Sequence, residues 1–188
     1  MKWLLGVTGV MCNRQRQGFE IQDTTSAKSK FLSLIPLFPH LDLYTNVELG
    51  VDPSLKLSEK QDQRIKEALD SLGLTGFEKR KPGESSGGQQ LRVALARALA
   101  RDRKLLLLDE AFAALGPTLR EELITLVKEL VQRKKMVALL VSHQPGDALL
   151  ASDRTAFVYD GRIIALQPTR QLLENSGLVE VRSYLGSL

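Results

Sequence analysis

Apolar residues recur at helical spacing through the middle of the chain and in short unbroken runs after it. Ile65, Ala68, Leu69 and Leu72 fall on one face of a helix. Ser58 is a good N-cap for it, and Gly73 supplies its C-terminal stop. A second helix is predicted over Ser86–Ala100, where Leu91, Leu95 and Leu99 stand four apart. The pattern then changes. Leu105–Leu108 is a continuous apolar run of the kind that forms a strand buried on both faces of a parallel sheet. A long amphipathic helix follows from Pro117, with Leu119, Leu123, Leu126 and Leu130 expected on its inward face. Met136–Val141 predicts another buried strand. Ala156–Tyr159 and Arg162–Ala165 flank Asp160-Gly161, a hairpin signal. Two short helical stretches close the chain.

Strand and helix alternate in this C-terminal half, which makes the fold class α/β. Residues 39–100 are mainly helical. The expected organisation is an α/β core of residues 1–38 and 101–188, with a helical subdomain of residues 39–100 inserted into it. Near the start, Phe19–Gln22 alternates and reads as a short strand. Met1–Cys12 carries one positive charge and then an apolar run, as in a secretion signal. The run is short and no small-residue cleavage site follows, so a buried helix is the expectation.

Composition changes this picture little. The 188 residues are 43% hydrophobic and 26% charged, ordinary for a globular chain. The net charge of +4 is spread along the sequence and points to no nucleic-acid partner. Cys12 is the only cysteine, so no intramolecular disulfide forms. Every apolar run is far too short to span a bilayer, so any link to a membrane goes through a partner.

Three elements carry candidate chemistry. Leu105–Leu108 ends in Asp109-Glu110. A buried strand ending in Asp puts a carboxylate at the edge where α/β sheets bind ligands, and it suits Mg²⁺. The adjacent Glu110 is placed to orient or deprotonate a water. Taken alone, the pair reads equally well as a strand end with an acidic helix cap. Ser85-Ser86-Gly87-Gly88-Gln89 opens a helix, and exposed N–H groups there favour an anion. Taken alone, it reads as a turn with Ser86 as a cap. His143 follows a buried strand and can hydrogen-bond a phosphate, although a lone histidine is more often structural.

Together, and in this order, these elements closely resemble the ATP-binding cassette family. The resemblance covers nearly the whole chain. It makes Ser85–Gln89 the signature motif, the Leu-rich strand the Walker B element and His143 the switch histidine. It implies a P-loop NTPase-like ATPase core, ATP and Mg²⁺ as cofactors, and ATP sandwiched between two ATPase subunits. Asp109 then serves the metal, Glu110 and His143 the catalytic step, and Ser85, Ser86, Gly87, Gly88 and Gln89 the nucleotide. Pro36–Leu41, Asn46–Gly50 and Pro53–Leu57 resemble the ATP-binding subunits of bacterial importers, thiamine importers above all, while importers of iron, polyamines or sulfate share much of the pattern. The resemblance implies a transmembrane permease subunit as partner, a periplasmic solute-binding protein indirectly, and a peripheral position on the cytoplasmic face of the bacterial membrane. Chromosome-maintenance ATPases share the signature, but no long heptad segment interrupts this chain.

The sequence also departs from that family. A phosphate loop needs G-x-x-x-x-G-K-[ST], and no such string occurs in the 188 residues. Ala27-Lys28-Ser29 comes nearest but lacks both glycines. The best register puts Leu4–Val10 on the helix that normally follows the loop and Gly18–Gln22 on the next strand, which makes a chain without the N-terminal strands and the loop. Leu34–Leu37 has no glutamine where the Q-loop has one. Ser85 stands for the usual Leu, Ala111 for Pro, and Gly116 for the D-loop Asp. Losing three hydrogen bonds to a charged phosphate costs roughly 4–9 kcal/mol, or about three to six decades of affinity. The alternative to an importer ATPase is therefore a degenerate or truncated non-catalytic relative.

Overall fold

The structure is a computed structural model that describes the backbone of residues 2–9 and, with side chains, residues 37–186. Cys12, the alternating Phe19–Gln22, Ala27-Lys28-Ser29 and residues 34–36 lie outside the described residues. In chain order the elements are β1 (Lys2–Gly9), α1 (Leu43–Val51), α2 (Glu59–Ser71), α3 (Gly87–Leu99), β2 (Leu105–Asp109), α4 (Pro117–Arg133), β3 (Val137–Ser142), α5 (Pro145–Ala151), β4 (Arg154–Tyr159), β5 (Arg162–Pro168), α6 (Thr169–Glu174) and α7 (Val179–Leu185). A 3-10 turn, Pro82–Glu84, precedes α3.

The described residues form two compact units. One takes residues 104–113 and 120–186 together with β1; the other takes residues 37–103 and 114–119. In the first unit the described strands make one sheet in the order β2-β3-β1-β4-β5. β2 and β3 are parallel, with Asp109 level with Val141. β1 is antiparallel to both β3 and β4. A buried cluster of Ala148, Phe157, Leu172, Leu173 and Val181 joins α5, α6 and α7 to β4.

The structure corrects three expectations in this unit. Lys2–Gly9 is a strand at the centre of the sheet rather than a helix, so Leu4–Gly9 does not form the helix of the expected register. Gly6 and Gly9 weaken a helix, and the β-branched Val7 and Thr8 favour a strand, which two neighbouring strands then supply with hydrogen-bond partners. Leu105–Leu108 is not buried on both faces: Leu106 and Leu108 are buried, while Leu105 is exposed. Alternate residues of a strand face opposite sides of the sheet, and in β2 the side carrying Leu105 and Leu107 is the less covered one. The inward stripe of α4 is Arg120, Leu123, Ile124, Val127, Leu130 and Val131, with Leu119 and Leu126 only half-buried. That stripe still has the three-four spacing of an amphipathic helix, turned by part of a residue step.

The second unit is helical, with α1, α2 and α3 packed on one another. Ser58 caps α2 through a full capping box with Gln61, and Ile65, Ala68, Leu69 and Leu72 are all buried. Gly73 has φ +66°, the left-handed conformation that ends a helix. Asn46 is fully buried and fully satisfied. Its Oδ1 accepts from the Phe38 N–H at 2.7 Å, and its Nδ2 donates to the carbonyls of Phe38, Leu41 and Asp42. The side chain thus closes the turn that leads into α1. Helix α1 approaches α3 so closely that a Cβ on Gly50 would sit 2.2 Å from Arg97 Cγ, and Arg101 Nε donates to the Gly50 carbonyl.

Gly50→Ala improves helix propensity yet is expected to destabilise the chain by about 1–3 kcal/mol, because Arg97 is buried and must move. Gly83→Ala adds a Cβ to open space and is expected to change stability by no more than about 0.5 kcal/mol. Urea midpoints of the two variants check this, and a Gly50→Ala chain as stable as the parent contradicts it.

Candidate functional site

Asp109 is the last residue of β2 and is exposed. Glu110 follows with φ +49°, a left-handed conformation that is costly for a residue with a side chain. Its N–H donates to the Val141 carbonyl at 3.0 Å, and its carbonyl accepts from the Ala113 N–H at 3.1 Å. The backbone therefore turns sharply away from the sheet while remaining tied to β3.

His143 follows the end of β3. Its Nδ1 lies 2.8 and 2.9 Å from the two carboxylate oxygens of Glu110. A carboxylate accepts, so Nδ1 is the donor, and Nε2 is the ring nitrogen not engaged by Glu110. The structure thus brings together Glu110 and His143 beside Asp109. His143 is half exposed and Glu110 more sheltered, which keeps the pair open to a ligand.

A buried network holds the chain just after His143. Ser142 Oγ donates to Asp147 Oδ2 at 2.5 Å and accepts from the Gln144 N–H at 3.0 Å. Arg120 of α4 pairs with the other oxygen of Asp147 at 3.3 Å, and both side chains are nearly inaccessible. Tyr184 of α7 donates its hydroxyl to the His143 carbonyl. Sequence reasoning missed Arg120, Asp147 and Tyr184. Asp147 stands only four residues beyond His143, which is the one local signal that could have found it. Tyr184 carries no local signal.

The signature-like residues lie in the other unit. Ser85 follows the 3-10 turn, its N–H bonded to the Pro82 carbonyl at 3.0 Å. Ser86 is the N-cap of α3: its Oγ accepts from the Gln89 N–H, and Gln89 Oε1 accepts from the Ser86 N–H. Gln90 Nε2 braces the same turn by donating to the carbonyls of Pro82 and Ser85. Gly87 is open, whereas a Cβ on Gly88 would meet Leu119 at 2.8 Å. The N–H groups of the first helical turn have no partner within the helix, so this end suits an anion.

The donor set also decides which metal fits. Among the described residues no three His, Cys, Asp or Glu side chains gather as a metal cage. A lone exposed Asp109 fits Mg²⁺, which takes one or two carboxylates and fills its shell with phosphate and water oxygens.

Residues 13–113 match the sequence model of the ABC transporter family. The thiamine import ATP-binding protein ThiQ of Ruegeria sp. (strain TM1040) is 47% identical over 151 residues, covering 80% of this chain and 65% of that protein. The protein of the same name from Cereibacter sphaeroides is 49% identical over 150 residues, with 80% and 64% covered. That from Photobacterium profundum is 44% identical, with 80% and 62% covered. The chain therefore spans somewhat less than two thirds of the length of these relatives.

Asp147→Ala is expected to destabilise the chain by about 3–5 kcal/mol, because it leaves the Arg120 guanidinium buried and unpaired. Replacing both partners, Arg120→Met with Asp147→Leu, is expected to cost far less than either single change. Chemical denaturation of the three variants checks this; additive losses would deny the pairing.

Proposed function

Because the chain belongs to the ABC transporter family, we propose that it serves as the ATP-binding subunit of an importer, and that Asp109, Glu110 and His143 form the phosphoryl-transfer part of its site. The family implies a P-loop NTPase-like α/β fold with ATP and Mg²⁺ as its ligands, and strand and helix alternate from β2 to β4, residues 105–159. The domain assignment we adopt is an ATPase core of residues 1–38 and 101–188 with a helical subdomain of residues 39–100. The observation that carries the reading is the Glu110–His143 contact at 2.8 Å beside a strand-end aspartate.

In this reading Asp109 would hold Mg²⁺. The metal, when bound, would supply charge neutralisation for the phosphates. Glu110 orients the attacking water and accepts its proton. His143 holds Glu110 through Nδ1 and, with protons on both ring nitrogens, would donate from Nε2 to the γ-phosphate. Ser85, Ser86, Gly87, Gly88 and Gln89 present a helix N-terminus to the γ-phosphate of ATP held by a second ATPase subunit. The 188 residues contain no G-x-x-x-x-G-K-[ST] string, so the reading assigns the cradle for the β- and γ-phosphates to residues outside them.

The names of the relatives support thiamine as the solute. A transmembrane permease subunit is the proposed membrane partner, fed by a periplasmic solute-binding protein, with this subunit on the cytoplasmic face. Among the described residues no helix is long and apolar enough to cross a membrane.

The 188 residues alone are expected to show no ATPase activity above an Asp109→Ala control, since positioning is most of phosphoryl-transfer catalysis. Joined to a segment carrying the phosphate loop, they are expected to turn over ATP. Glu110→Gln in that longer protein is expected to lower kcat by about 10²–10⁴-fold while leaving ATP binding in place. Unchanged turnover would remove Glu110 from the mechanism.

A further inference from the structure

We propose that Tyr184, on the C-terminal helix α7, is a positioning residue for His143: its hydroxyl fixes the backbone of the histidine and so holds the imidazole against Glu110. The loop after β3 is tied down on one side by buried groups. Ser142 Oγ bridges Asp147 and the Gln144 N–H, and Arg120 fixes Asp147. The Gln144 N–H belongs to the same planar peptide group as the His143 carbonyl, so the Ser142 tie fixes one end of that peptide and leaves its carbonyl oxygen to a second partner. The Tyr184 hydroxyl donates to that carbonyl, reaching it across 41 residues of sequence.

The tyrosine is itself well placed to act as a fixed point. Its ring lies 5.3 Å from that of Phe157, which is fully buried in β4. Val181, one turn earlier on α7, is also fully buried in the same cluster. Burial pushes the phenol above its ordinary range, and the nearby Glu110 carboxylate adds to the shift. The hydroxyl therefore keeps its proton and stays a donor throughout the neutral range. A peptide held at its N–H by Ser142 and at its carbonyl by Tyr184 has little freedom to rotate, and so little freedom to swing the His143 side chain. A phenylalanine would fill the same space against Phe157 and Val181 but could not donate, so the hydroxyl, not the ring, performs the positioning.

This inference deepens the reading of His143 given above and rests on it for its consequence in turnover; the positioning itself is a matter of geometry and is tested without nucleotide. The chain has two histidines, His40 and His143, in different units. With both rings ¹⁵N-labelled, two-bond ¹H–¹⁵N spectra of the 188-residue chain report each imidazole separately. Glu110→Ala, which removes the acceptor, shows what loss of the pairing looks like at His143. Tyr184→Phe is expected to move the His143 ring signals in the same direction and to leave His40 in place. Tyr44→Phe, which removes a hydroxyl bonded to Asp62 in the other unit, is expected to leave His143 unmoved. His143 signals that coincide in Tyr184→Phe and the parent chain would overturn the proposal. So would equal movement of both histidines or loss of the folded spectrum, either of which would make Tyr184 a general packing residue. If His143 moves as expected but the longer protein with Glu110→Gln keeps full turnover, the positioning stands and the functional reading falls.

Discussion

The parallel pairing of β2 with β3 is the constraint on which the site depends. It sets Asp109 level with Val141, so the chain leaves both strands at the same edge of the sheet. One residue further on, the Glu110 N–H still reaches the Val141 carbonyl, and the positive φ at Glu110 redirects the chain. His143 then lies two residues beyond Val141, within hydrogen-bond distance of the Glu110 carboxylate. A slip of one residue in either strand would turn its side chains to the opposite face and separate the pair. The backbone cost at Glu110, of order 1–3 kcal/mol, is tolerated because the surrounding hydrogen bonds determine the turn.

Around that pairing the molecule places two kinds of support. Buried polar groups, Ser142, Asp147 and Arg120, fix the chain that carries His143. An ion pair in that position contributes less to net stability than apolar packing would, but it specifies one arrangement of the loop, since either partner left alone is costly. The second support is the aromatic and aliphatic cluster of Phe157, Val181 and Tyr184, through which the C-terminal helix reaches the same loop. In the helical unit, Asn46 does comparable work for the turn before α1, and the Ser86–Gln89 capping box for the start of α3.

What was legible in the sequence was local. Ser58 and Ser86 cap their helices as their hydroxyls predict, and the glutamines three residues later complete each capping box. Asp160-Gly161 makes the hairpin turn with positive φ at both residues. Asp109, Glu110 and His143 were found as candidates because strand ends beside apolar runs are visible in the pattern. The contacts that complete the arrangement join distant positions. β1 takes its place only between strands more than a hundred residues away, and its two glycines and short length left its apolar run ambiguous. The rotated stripe of α4 and the Tyr184–His143 bond likewise depend on packing that no spacing rule contains.

The central claim is that Glu110 and His143 act as one unit in phosphoryl transfer. A double-mutant cycle on kcat measures this most directly, in the protein carrying both this chain and a phosphate loop, with Glu110→Gln, His143→Ala and the two combined. Residues that act together are grossly non-additive. The account predicts that the double variant loses no more activity than the more damaging single one. Losses that multiply would show that the two side chains act independently and would contradict it.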